Sequence, residues 1–209
     1  MMKWNKIPIV VLCLCVVMAL PLLAAITGSS HDFSSRSWNS TGEICAPCHT
    51  PHDADISVAG APLWNHELTT QIFNLYSSPT FNAGSSIGQP TGPSKLCLSC
   101  HDGTVALDNF GGFVGGTTAI SPLLSLGTDL SSSHPISFTY DSALVANDKG
   151  LFDPATTASG LGDTIANDML YQDNVECSSC HDVHSETGLA FLLVKSNAGS
   201  ALCLTCHDK

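Results

Sequence analysis

Basic residues are scarce in this chain: seven Lys and Arg against eighteen Asp and Glu, for a formal charge of −11. A surface of that sign repels phosphate, which excludes nucleic acid as a partner. Aromatic residues are scarce as well, at 7%, with three Trp, three Tyr and eight Phe in 209 residues. A core built on large side chains is therefore short of material, and something other than side chains must help fill the interior. Sustained helical periodicity is missing too, beyond a turn or two. The expected fold is mostly irregular, with a few short α-helices and little or no β-sheet. Methionine is almost absent past residue 25, where Met169 stands alone.

What is abundant is cysteine, ten in all, and apolar sequence at the start. Residues 1–6 carry Lys3 and Lys6 and no acid, residues 7–25 are unbroken apolar, and Ala24 and Ala25 close the run. That order reads as a secretory signal peptide over residues 1–25. A membrane anchor is the rival, because nineteen apolar residues can just span a bilayer. Pro8, Pro21 and the small closing residues favour cleavage, leaving no stable membrane span. Cys13 and Cys15 then go with the leader, and the remainder has five basic residues against eighteen acidic ones, a charge of −13. The chain is expected to be exported, into a compartment where unprotected cysteine pairs oxidise.

The eight remaining cysteines do not look like a disulfide framework. They occur as Cys45-Ala-Pro-Cys48-His49, Cys97-Leu-Ser-Cys100-His101, Cys177-Ser-Ser-Cys180-His181 and Cys203-Leu-Thr-Cys206-His207. C-x-x-C-H is the attachment word of c-type haem. Two thiols with two residues between them reach the two vinyl groups of one porphyrin, and the adjacent imidazole faces its iron. Zinc sites do not require a histidine after every pair, and no thioredoxin-like strand–helix context surrounds these words. Four haems use every cysteine past the leader.

The four sites fall into two repeated halves, residues 26–120 and 121–209, together one compact domain. Each half pairs an extended site, Cys45 to His52 or Cys177 to His184, with a short one, 97–102 or 203–208. Each also has one histidine upstream, His31 or His134. The proximal ligands are His49, His101, His181 and His207; the distal candidates are His31, His52, His134 and His184. Taken by halves, His31, His49, His52 and His101 serve the first, and His134, His181, His184 and His207 the second. Eight histidines for four irons give two axial nitrogens each, and a single methionine leaves at most one His/Met iron. His66 lies outside the repeat and reads first as a structural histidine beside Trp64; as a distal ligand it would displace His31. His52 and His184 follow a proximal histidine by three residues and so are expected to reach a different haem from their neighbour's. The acids read as solubilising surface, with Asp102, Asp182 and Asp208, each directly after a proximal histidine, as possible second partners to an imidazole. Residues 103–176 read as a long Gly- and Ser-rich insert draped over haem faces, offering Phe138, Leu144 and Leu151 as apolar contacts.

The words 42–52, Ala-Pro-Leu-Trp-Asn-His at 61–66, Cys-Leu-Ser-Cys-His-Asp-Gly-Thr-Val-Ala at 97–106, His-Pro-Ile-Ser-Phe at 134–138 and the final Cys-Leu-Thr-Cys-His-Asp resemble secreted tetrahaem cytochromes with doubled C-x-x-C-H motifs. Within that group the chain is similar to the OmcE-type cytochromes, whose subunits polymerise into extracellular filaments. The resemblance implies a small multihaem cytochrome with a haem-packed core and self-assembly, with one axial histidine given by a neighbouring subunit, here His31 or His52. It implies electron transfer rather than bond chemistry, at the cell surface or outside it, with electron donor and acceptor proteins or minerals as partners. A soluble periplasmic shuttle is the alternative, and a haem-dependent reductase with one open iron the third reading.

Overall fold

The structure, a computed structural model, describes residues 26–83, 87–184 and 187–208. The leader expected at 1–25 lies outside them. Most of the described chain is turn, bend and irregular backbone, as the composition predicts. The regular elements are α1 (Gly92–His101), β1 (Phe138–Thr139), α2 (Ser142–Asn147), α3 (Ile165–Met169), β2 (Asn174–Val175) and α4 (Cys203–Cys206). Single 3₁₀ turns occur at Cys177–Ser179, Ala190–Leu192 and Ala198–Ser200. β1 and β2 pair antiparallel, Phe138 opposite Val175 and Thr139 opposite Asn174. Among the described residues no helix is long and apolar enough to cross a membrane.

The longest helix, α1, carries the second C-x-x-C-H word. Pro93 stands in its first turn, where the missing N–H costs nothing. Thr91, its N-cap, gives no side-chain cap; the Ser94 N–H donates instead to Glu176 Oε2, 3.3 Å away and 82 residues later. The other end closes at Gly103, in the left-handed region at φ 76°, where its N–H donates to the Cys100 carbonyl. A β-carbon there would lie 2.7 Å from Ser125 Oγ, so only glycine lets the chain turn away directly after His101. The inner face of α1 sets Leu98, fully buried, against Phe73 and Leu130.

The insert is not the structureless drape its composition suggested. It holds both strands, α2 and α3, and most of the largest apolar cluster: Phe138, Tyr140, Leu144, Ile165, Met169 and Val175, joined by Leu202. Asp141 and Thr164 start α2 and α3 as N-caps, accepting from the Leu144 and Asn167 N–H groups. Met169 is a core residue of this cluster, and Cys180 and Cys206 pack against its edge. Burying one side chain of this kind is worth about 1.5–3 kcal/mol. The cluster therefore fixes the wall on which the third and fourth words sit.

Candidate haem centres

Three of the four proximal histidines are held by the same backbone device. At the first word, the Thr50 N–H donates to the Leu63 carbonyl and the Asn65 N–H to the Cys48 carbonyl, bridging His49 to Trp64. At the third, the Asp182 N–H donates to Leu192 and the Val194 N–H to Cys180, bridging His181 to Leu193. At the fourth, the Asp208 N–H donates to Gly150 and the Phe152 N–H to Cys206, bridging His207 to Leu151. Each word is thus clasped by a three-residue strap: 63–65, 192–194 or 150–152.

In the first and third clasps the strap enters through a residue forced into the left-handed region, Leu63 at φ 54° and Leu192 at φ 54°. That turn aims the preceding carbonyl at the imidazole. Pro62 O lies 2.6 Å from His49 Nδ1, and Phe191 O lies 2.9 Å from His181 Nδ1. The second word achieves the same with a helix end: Leu124 O lies 2.9 Å from His101 Nδ1. Held in this way, each Nδ1–H donates to a carbonyl and Nε2 keeps its lone pair for a metal.

The distal candidates come to these rings across long stretches of chain. His31 faces His101 with ring centroids 6.0 Å apart, His184 faces His49 at 6.3 Å, and His134 faces His207 at 6.3 Å. Offset and edge-to-face ring pairs span this range, and two imidazoles each about 2 Å from a metal held between them would also have centroids about 6 Å apart. The angles between the planes, 45°, 17° and 75°, are no obstacle, since each ring can turn about its metal–nitrogen bond. His134 Nδ1 is itself held by the Pro135 carbonyl at 2.9 Å. His52 and His181 are both exposed, and among the described residues neither makes a ring contact.

His184, in the second half, stands beside His49 in the first. His66 is buried with both nitrogens facing carbonyls, Nδ1 to Glu67 O at 2.8 Å and Nε2 to Ala106 O at 3.1 Å. It braces the chain beside Cys100 Sγ, 3.5 Å away. Of the three aspartates after proximal histidines, Asp182 accepts from the His184 backbone N–H at 2.9 Å, with its Oδ1 3.9 Å from His184 Nδ1. Asp102 turns instead to Thr104.

Burial sets the state of these groups. The His31 pKa is lowered to about 4, by burial first and then by the charges of His101, His184 and His181. Its imidazole is neutral, the form a metal binds, across the physiological range. Burial pushes the Cys48 and Cys206 thiols up to about 11, and Cys97 and Cys100 upward as well. Cys97 rises most by its hydrogen bond to Cys177, whose own thiol is correspondingly lowered. Cys48 lies within charge reach of Cys100, Cys97 touches Cys177, and Cys180 senses both Cys203 and Cys206. The first word thus lies near the second, the second near the third and the third near the fourth, while His184 brings the third beside the first as well. Among the described residues the eight cysteines form no disulfide.

A tetrapyrrole fits this arrangement on a further count. Trp64 Nε1 is buried without a hydrogen-bond partner, and an unsatisfied buried donor costs about 1–3 kcal/mol. A macrocycle carrying carboxylates supplies an acceptor of the right charge beside the first word. Two features had no signal in the reading of the sequence. Glu176, taken with the other acids as surface, is only 2% exposed and caps α1. The straps were also missed, because they lie at different distances from their words: the carbonyl that meets the imidazole is 13 residues after His49 and 10 after His181.

Comparison with known proteins agrees with the words rather than with any whole chain. The family described as doubled CXXCH motif matches residues 171–209, the third and fourth words with their surroundings. No curated protein matches the chain. The doubled words indicate covalently bound c-type haem, and with it a multihaem c-type cytochrome that transfers electrons.

Proposed function

We propose that the chain carries four bis-histidine haems and passes electrons along them, outside the cell, as the repeating unit of a filament. The observation that carries this reading is the set of three imidazole pairs at 6.0, 6.3 and 6.3 Å. Haem supplies one-electron chemistry; the chain supplies the two imidazoles that fill both axial positions and leave no coordination site for a substrate. On this basis the protein is an electron carrier and not an enzyme.

The ring spacings support these ligand sets: His49 with His184, His101 with His31, and His207 with His134. His181 and His52 are left, both exposed. His52 of one subunit then completes the iron at His181 of the next, which makes self-assembly a condition for the fourth site and selects His52 over His31 as the donor in trans. Export through the 1–25 leader, removal of that leader and an extracellular place accompany this reading, and covalent attachment keeps haem from being lost there.

The test is H52A in the full chain. It is expected to abolish filaments, seen by electron microscopy, and to convert one haem to a high-spin form that binds carbon monoxide. Wild-type protein that is monomeric at every concentration, with all four haems low-spin, would establish the soluble shuttle instead. A high-spin haem in the assembled wild type would establish the reductase.

A further inference from the structure

Two ionic side chains, one buried and one half-buried, stand at different haem words with no opposite charge in salt-bridge contact among the described residues. Glu176 is 2% exposed. Its Oε2 accepts from Ser137 Oγ at 2.9 Å and from the Ser94 N–H at 3.3 Å. Ser94 Oγ returns the contact by accepting from the Cys177 N–H at 2.9 Å. Tyr171 and Ser179 complete its surroundings through Gly92 and the 176–179 turn, and no cation faces it. Cys97 and Cys177, the touching thiols of the second and third words, both feel its charge.

Lys195 is the counterpart at the fourth word. Its Nζ donates to the Ser159 carbonyl at 2.5 Å and to Thr205 Oγ1 at 2.9 Å, and Thr205 lies between Cys203 and Cys206 in α4. Cys206 feels this positive charge. Asp168 is the nearest acid in the hydrogen-bond network, but it holds Ser159 Oγ and the Asp163 N–H and forms no ion pair with Lys195.

We infer that these two charges grade the chain of haems: Glu176 lowers the potentials of the second and third, Lys195 raises that of the fourth, and electrons run toward the C-terminal end. The inference rests on the reading of the words as haem sites. In the favoured step one electron leaves the iron of the third haem, ferrous becoming ferric, and reduces the fourth, ferric becoming ferrous. No proton or further reactant is needed. A negative charge stabilises the oxidised iron near it and a positive charge the reduced one. At an effective dielectric of about 20, a unit charge about 10 Å away alters a one-electron equilibrium roughly tenfold.

The experiment is a spectroelectrochemical titration of the intact haem protein and of E176Q and K195M. E176Q is expected to move two potentials upward, each by about tenfold in the reduction equilibrium, or about 59 mV. K195M is expected to move one different potential downward by a similar factor. Low-spin spectra and haem content are recorded first, so that loss of the haem reading is seen as missing or high-spin haem before any potential is measured. With spectra intact, potentials unchanged in both variants, or shifted in the same direction by both, overturn the gradient. Should E176Q fail to fold, E176D keeps the charge and the unchanged middle potentials, and K195M decides the other arm alone.

Discussion

The pairs His31–His101, His49–His184 and His134–His207 close within one chain, while His181 and His52 stay apart on its surface. The contrast does not lie in the attachment words, which share the same C-x-x-C-H pattern in each case. It does not lie in how the proximal ring is held either, since His181 has the same strap and the same carbonyl on Nδ1 as His49. The difference is in what comes to the opposite face. Three distal imidazoles are delivered by segments of the same chain, and the remaining one points outward. On the proposed reading, a site prepared on one side would be completed from the other by a neighbouring subunit.

Breaking a closed pair gives the largest effect. H184A is expected to turn the haem on Cys45 and Cys48 high-spin, although His184 belongs to the third word, and to remove roughly a quarter of the low-spin absorbance, one iron in four. Loss from the haem on Cys177 and Cys180 instead would contradict the cross-half pairing. The straps come next. L192G removes a side chain that is 9% exposed and relieves a left-handed backbone worth about 1–2 kcal/mol, so burial wins and the protein loses about 1 kcal/mol on denaturant unfolding. L63G removes a side chain that is 54% exposed and relieves the same strain, so it is expected to be neutral or stabilising by about 1 kcal/mol. Equal losses from both would contradict the claim that burial decides the difference between the two straps.

Acid gives a smaller effect with a definite sign. Burial holds the His31 pKa down to about 4, against the ordinary histidine value of 6.5. Its contribution to stability is therefore complete above pH 6.5 and is lost as pH falls toward 4. The low-spin signal of the haem on Cys97 and Cys100 should persist across that window and fail only below it, as an absorbance titration would read. Glu176 acts in the opposite sense, because burial raises its carboxyl. Its contribution is complete below the ordinary Glu range and declines as pH rises through the raised value. Acidification should accordingly lift the two middle potentials as the charge is neutralised, and E176Q should remove that part of the slope.

The attachment sites were legible in the sequence because their chemistry is local: thiols and imidazole must sit within five residues to meet one porphyrin. The fold class was legible for a related reason, since Gly, Ser and Pro at high density leave short helices only near those words. The partnerships were not. His184 reaches His49 across more than a hundred residues through backbone hydrogen bonds at 63–65 and 192–194, and such bonds leave no mark on side-chain pattern. Glu176 was invisible for the same reason, as one acid among eighteen whose place is decided by α1 folding back on it.

The most direct measurement is the spin state of the four haems in assembled wild-type protein and in monomeric H52A, read by electron paramagnetic resonance. The account predicts four low-spin bis-histidine haems in the assembly and three in the variant, with the high-spin iron on Cys177 and Cys180. Four low-spin haems in the monomeric variant would contradict it.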